Sequence, residues 1–323
     1  MLPLLLAAAI GWQIPIDHTE RAESTESFES MALTWSTPSD VAVRVRFSAD
    51  GRRWSDWMAM TIDRDGSDAS AGHYVTSITH IGTASRYLEI AAAAPIDRVS
   101  ATMFPPQQLH RRIAPESLSV GHLLARSRSD WQCPDGEQAP MWAPAYTIVT
   151  HIVVHHTDGA NSVADWDAEV RSIWYLHTYT NGWGDIGYNY LIDPNGVIYE
   201  GRAGGFGSIG AHFSCRNTNT VGIALLGTYT TALPAKAALD SLKELLAELC
   251  ARDHIKPTAF AYHAPSALNM PTIIGHRDGN PSPLTCTRTE CPGDALYALL
   301  PAIRIDVAAI ELAPVARRRA VRP

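Results

Sequence analysis

Three groups able to bind a transition metal lie far apart in the C-terminal half of this chain, and only a folded domain can bring them together. One is a histidine of the adjacent pair His155 and His156, in the run Val153-Val154-His155-His156-Thr157. The others are His276 in Ile274-Gly275-His276-Arg277-Asp278 and Cys291 in Glu290-Cys291-Pro292-Gly293. Two neutral imidazoles and one thiolate form the protein ligand set of a catalytic zinc, which keeps its fourth position open. A structural zinc takes four protein ligands, often in close pairs such as Cys-x-x-Cys. The pattern points to a hydrolase and away from a zinc staple.

The rest of the composition is compatible with that reading. A chain of 323 residues, 46% hydrophobic and 18% charged, is globular and long enough for two cores. A net charge of -7 argues against nucleic acid as a partner. The one basic cluster, Arg317, Arg318, Arg319 and Arg322, reads as a solvated tail over residues 314–323. The apolar run from Leu2 to Ile10 contains Ala7, Ala8 and Ala9 and reads as an export signal within residues 1–20, although no Lys or Arg precedes it; an N-terminal segment packed on the first domain is the alternative. It is shorter than the roughly 20 apolar residues of a membrane-spanning helix, and no other stretch is a candidate span. An exported location, periplasmic or extracellular, is therefore expected. With Cys291 set aside for metal, Cys133, Cys215, Cys250 and Cys286 suffice for two disulfides. The expected pairs are Cys133 with Cys250 and Cys215 with Cys286; four reduced thiols are the alternative.

Residues 24–108 read as a β-sandwich-like accessory domain. Val41, Val43, Val45 and Phe47 alternate with polar or small residues, a half-buried strand, and Asp50-Gly51 supplies a turn. Trp54 and Trp57 follow, as a sugar-stacking surface or as core and rim residues. Residues 109–140 read as a linker. Residues 141–313 mix strands and helices, which predicts an α/β domain with a central mixed sheet and flanking helices. Ser162 is a candidate helix cap, with Asp165 in the capping-box position. Asp193-Pro194-Asn195-Gly196 marks a hairpin, and Leu239 to Ala251 an amphipathic helix. In a strand His155 and His156 point to opposite faces, so one of them at most enters a given site, and periodicity does not choose.

In order along the chain stand VVHHT, GWGDIGYNYLIDPNGVIYEGR, GAH, TVGIALLG, IIGHRD and TECPGDALY. Together they resemble the zinc-dependent N-acetylmuramoyl-L-alanine amidases, which share a domain with the peptidoglycan recognition proteins. The resemblance covers about residues 145 to 305. It implies a zinc cofactor, peptidoglycan or its muropeptides as partner, and cleavage of the amide between N-acetylmuramic acid and the first L-alanine of the stem peptide. It also implies His155, His276 and Cys291 as ligands and Tyr188 of DIGY as the catalytic tyrosine, which either stabilises the oxyanion or orients water. Thr289, two residues before the cysteine, is a second catalytic candidate. Fourteen residues separate His276 from Cys291, more than in familiar relatives, and this stretch contains Cys286. Cys286 is either the true ligand or a staple for the insertion; the CPG context favours Cys291.

Substrate contacts are expected from three further residues, each with a structural alternative. His212 of GAH lines the groove or is a buried structural histidine. Arg202 pairs with a stem-peptide carboxylate or closes an internal network. Trp183 walls the groove or packs. The glycine-rich stretch 201–210 lacks the GK[ST] ending of a phosphate loop, which excludes that nucleotide site. The competing reading is a non-catalytic module that senses peptidoglycan; relatives of that class lack the cysteine ligand. A zinc enzyme acting on a different amide is the third.

Overall fold

The structure, a computed structural model, describes residues 8–12, 19–38, 40–68, 71–104, 117–121, 123–136, 141 and 143–312. The basic tail and most of the apolar N-terminal run lie outside them. The chain divides into two compact units, Met1–Arg111 with Val163–Trp183, and Arg112–Ser162 with Gly184–Pro323.

The first unit is built on antiparallel strands: β1 (Ala8–Trp12), β2 (Thr19–Ser36), β3 (Val43–Ser48), β4 (Met58–Ala59), β5 (Ile62–Asp68), β6 (His73–Thr76), β7 (Thr79–Ala92) and β8 (Arg98–Phe104). Their order is β1-β8-β2-β7-β3-β4, with β6 pairing both β2 and β5. The sequence suggested a β-sandwich-like domain, and the described strands are hydrogen-bonded into one sheet. The long β2 and β7 carry register shifts between Glu23 and Ser30, and such bulges bend and twist a sheet. The alternation read from the sequence holds, since Val41, Val43, Val45 and Phe47 are all buried with Phe28, Leu33, Leu88 and Ile90. Trp54 and Trp57 are half-buried at the rim. Arg21 and Arg46 stack on Trp54, and Arg44 and Arg46 on Trp57, at 4.8 to 5.2 Å from the ring centroids.

Helix α1 (Trp166–Tyr175) and the π-turn that continues it to Thr180 belong to this unit. Asp165 itself is the cap, accepting from the backbone N–H groups of Asp167 and Ala168, where the sequence pointed to Ser162. His80 on β7 meets the buried Glu169 at 2.7 Å, and Phe104 packs edge-on against Tyr175. Burial alone pulls the His80 pKa down, but the hydrogen bond and charge of Glu169 outweigh it and raise it.

The second unit holds a seven-stranded mixed sheet in the order β17-β11-β14-β12-β13-β10-β9. Its strands are β9 (Ser117–Val120), β10 (Leu123–Arg126), β11 (His151–His156), β12 (Tyr190–Ile192), β13 (Ile198–Glu200), β14 (Thr220–Leu225) and β17 (Ile273–Gly275), while β15 (Phe260–His263) and β16 (Leu268–Pro271) form a separate hairpin. β11 runs parallel to β14 and β17, and β12 and β13 form the expected hairpin. β9 and β10 fall in the stretch the sequence assigned to a linker. They are short, and among the described side chains Val120, Leu123 and Ala125 tie them to the core. Helices α2 (Lys236–Asp253) and α4 (Leu300–Leu312) cover one face of the sheet, packing on Ile152, Val154, Ile192, Ile223 and Leu225. Pro301 stands in the first turn of α4, after the short α3 (Asp294–Tyr297), where a missing N–H costs nothing.

Candidate metal centre

The parity of β11 decides between the adjacent histidines. Ile152 and Val154 point into the core under α2 and α4, and His156 shares their face, its Nδ1 accepting from the Tyr229 N–H at 3.2 Å. His155 faces the other side with Val153 and is fully buried. β17 runs beside β11, so the turn that follows it delivers His276 to the same side, its ring centroid 4.8 Å from that of His155. Cys291 arrives from the loop before α3. Its Sγ lies 3.5 Å from His155 Nδ1.

The ligand atoms of His155, His276 and Cys291 all lie within 4.8 Å of one another. The donor set fits zinc. Around a tetrahedral ion with Zn–S near 2.3 Å and Zn–N near 2.0 Å, a sulfur and a nitrogen stand roughly 3.6 Å apart, close to the Cys291–His155 separation. Burial first, then His276, His212 and His156, hold the His155 pKa well below its ordinary value, which keeps the imidazole neutral as a ligand must be.

Cys286 is not in this group. It is bonded to Cys215, with Cα atoms 5.8 Å apart, as the sequence anticipated. The segment between His276 and Cys291 is closed at its base by Arg277 N–H donating to Cys291 O, and by Asn280, whose side chain bonds both N–H and C=O of Thr289. The other expected pair does not form. Cys133 is buried beside Asp135 and Cys250 is buried in the α2 core, neither in a disulfide. Burial raises the Cys133 pKa and keeps it a thiol.

Tyr188 packs its ring 5.2 Å from that of His155, 5% exposed. Thr289 is buried, and its hydroxyl oxygen accepts from the Cys291 N–H at 2.9 Å. His212 is also buried, with Nδ1 3.1 Å from His155 Nε2 and Nε2 3.3 Å from Thr220 Oγ1. Burial, then His276 and Arg202, lower its pKa to about 3. Arg202 is 7% exposed and donates to Ile186 O at 3.3 Å. It lies in the field of the buried Asp185, which pairs with Arg128 at 3.2 Å and accepts from the Ala203 N–H. Trp183, in the first unit, packs against His177, ring centroids 4.6 Å apart and the planes tilted by 41°. The motifs thus bring together His155, His276, Cys291, Tyr188, Thr289 and His212, and set Arg202 in an internal network. Sequence reasoning missed Arg128, Asp185 and Thr220. A glycine inside a strand, Gly222, was the available signal for a close approach at this point.

A mixed sheet that gathers two histidines and a cysteine within 4.8 Å of one another defines a domain that could host metal-assisted chemistry. The family model for N-acetylmuramoyl-L-alanine amidase (Amidase_2) matches residues 145–294. Human N-acetylmuramoyl-L-alanine amidase is 36% identical over 153 residues, 46% of this chain and 23% of that protein. Peptidoglycan-recognition protein LB of Drosophila melanogaster is 34% identical over 187 residues, 57% of this chain and 69% of that protein. The solved wild-type Drosophila PGRP-LB aligns at 32% identity with a TM-score of 0.41, over 53% of this chain and 89% of that one. The chain belongs to the N-acetylmuramoyl-L-alanine amidase and peptidoglycan recognition protein family. Its match spans about a quarter of the length of the human amidase. No described helix is long and apolar enough to cross a membrane.

Proposed function

We propose that this chain is a zinc-dependent amidase that hydrolyses the bond between N-acetylmuramic acid and the L-alanine of the peptidoglycan stem peptide. Family membership supports a protein that cuts or binds peptidoglycan. The observation that favours cutting is Cys291, a buried thiol outside any disulfide, within ligand distance of His155 and His276. Those three residues would hold zinc, which supplies a Lewis acid for the amide carbonyl and activates water near neutral pH. The burial of His155 keeps it neutral and able to bind metal. Thr289 and Arg277 fix the loop that carries Cys291. Tyr188, against His155, is the residue to donate a hydrogen bond to the oxyanion that develops as the amide is attacked. The Cys215–Cys286 disulfide supports an exported, oxidising location.

Digestion of purified peptidoglycan tests this. Stem peptides with a free L-alanine amino terminus should be released, release should stop on chelation, and it should return with zinc. Binding without release would favour the sensor reading. New reducing sugar ends would mean a glycosidase and sink the proposal.

A further inference from the structure

We infer that His212 is a positioning residue for the metal ligand His155: it sets which ring nitrogen of His155 carries the proton, and so which one is offered to the metal. The inference rests on the metal reading above. It begins at Thr220, whose hydroxyl sits 2.7 Å from Asn217 O and donates its only proton there. At His212 Nε2, 3.3 Å away, the Thr220 oxygen is left to accept, so Nε2 of His212 carries the proton. His212 Nδ1 is then bare and accepts from His155 Nε2–H at 3.1 Å. That leaves His155 Nδ1 unprotonated, and it is the nitrogen 3.5 Å from Cys291 Sγ. The chain Asn217–Thr220–His212–His155 therefore presents one defined lone pair to the ion. Outer hydrogen bonds of this kind fix the tautomer and orientation of ligating histidines.

The fold holds the His212 ring in place with two glycines. A Cβ on Gly222 would lie 2.4 Å from His212 Cγ and 2.7 Å from Nδ1, and a Cβ on Gly210 would lie 2.5 Å from Cδ2. Gly222 is in register with Val153, on the face of the sheet that carries His155 two residues on. The imidazole lies in a slot made by missing side chains. Asn217 fixes the backbone below it, its Oδ1 accepting from the N–H groups of His212 and Phe213 at 2.8 and 2.7 Å. A residue so confined in direct contact with a ligand is poorly placed to grip substrate.

Zinc affinity of the full chain, measured by chelator competition on purified variants, tests the assignment. His212→Phe fills the slot without an acceptor and should weaken zinc binding by 10- to 100-fold. His212→Asn, whose amide oxygen falls near the place of Nδ1, should stay within a few-fold of wild type. Thr220→Val should lose affinity in the same direction, and Thr220→Ser should keep it. A structural role alone would lower the stability of both His212 variants without separating their zinc affinities. Equal affinity in His212→Phe and wild type overturns the inference and leaves the metal reading intact; if His212→Phe does not fold, equal affinity in Thr220→Val and wild type does the same. A wild-type protein that does not bind zinc takes both down.

Discussion

Replacing Gly222 by alanine is a small change with a large expected effect. The new methyl would stand 2.4, 2.6 and 2.7 Å from Cγ, Cδ2 and Nδ1 of His212, where carbon contacts need about 3.5 Å. The ring must withdraw by about 1 Å, which carries Nδ1 out of hydrogen-bond reach of His155 Nε2. Overpacking costs about 1–3 kcal/mol and the lost hydrogen bond about 1 kcal/mol. Removing a glycine from a strand returns about 0.5–1 kcal/mol. The net is a loss of about 2 kcal/mol, read as a lower urea midpoint of the metal-free protein at unchanged m. Zinc affinity should fall with it. The same substitution in a His212→Ala background has no ring to meet, so there it should be neutral or slightly stabilising. A Gly222→Ala protein as stable as wild type, binding zinc as tightly, would refute the slot.

Cys286→Ser should keep zinc and lose about 2–4 kcal/mol of stability, because the bridge closes a span of 71 residues; Cys291→Ser should lose zinc and keep the bridge, and metal analysis showing the reverse would exchange their roles. Tyr188→Phe should lower turnover about a hundredfold, about 2.7 kcal/mol, at unchanged zinc content; full activity removes the hydroxyl from the mechanism. His151 is lowered from 6.5 to about 4, by burial first and then by His263, so the unfolded chain takes up its proton at higher pH than the folded one. Its contribution to stability is complete above about 6.5 and is lost as pH falls toward 4, at up to about 1.4 kcal/mol per pH unit. His151→Gln should remove one proton's worth of that slope, and an unchanged slope would assign it elsewhere.

What could be read from the sequence followed from local physics. The alternation at Val41 to Phe47, the Asp193–Gly196 turn and the apolar stripe of α2 each report a period or a turn within a few residues. The grouping of His155, His276 and Cys291 was legible for another reason, since two histidines and a cysteine in separate motifs share one chemistry. What was hidden depended on neighbours distant in sequence. The choice of His155 over His156 turns on which face α2 and α4 cover. β9 and β10 are strands because an edge of the sheet is there to pair with, not through their own composition. Cys133 and Cys250 matched a disulfide by count alone; the fold places one beside Asp135 and the other in the core under α2.

The glycines beside His276 and His212 bear on how three distant segments bring His155, His276 and Cys291 within 4.8 Å of one another. Gly275 precedes His276, and a Cβ there would meet Pro292 and Tyr297 at 2.8 Å, so the His276 turn can approach the Cys291 loop this closely only with a bare Cα. Gly279 has the same relation to Phe213, at 2.7 Å, in the segment that follows His212. Gly222 and Gly210 admit the His212 ring against His155. In each case a motif carries a candidate metal-binding or positioning side chain together with the missing side chain that lets a neighbour reach it. Side chains at those glycines would hold the segments apart by roughly 0.7–1.1 Å, while a metal site tolerates only about 0.2 Å in its ligand distances. The spacing between donors is thus encoded at positions that donate nothing, and a histidine or cysteine alone carries only half of each motif's information.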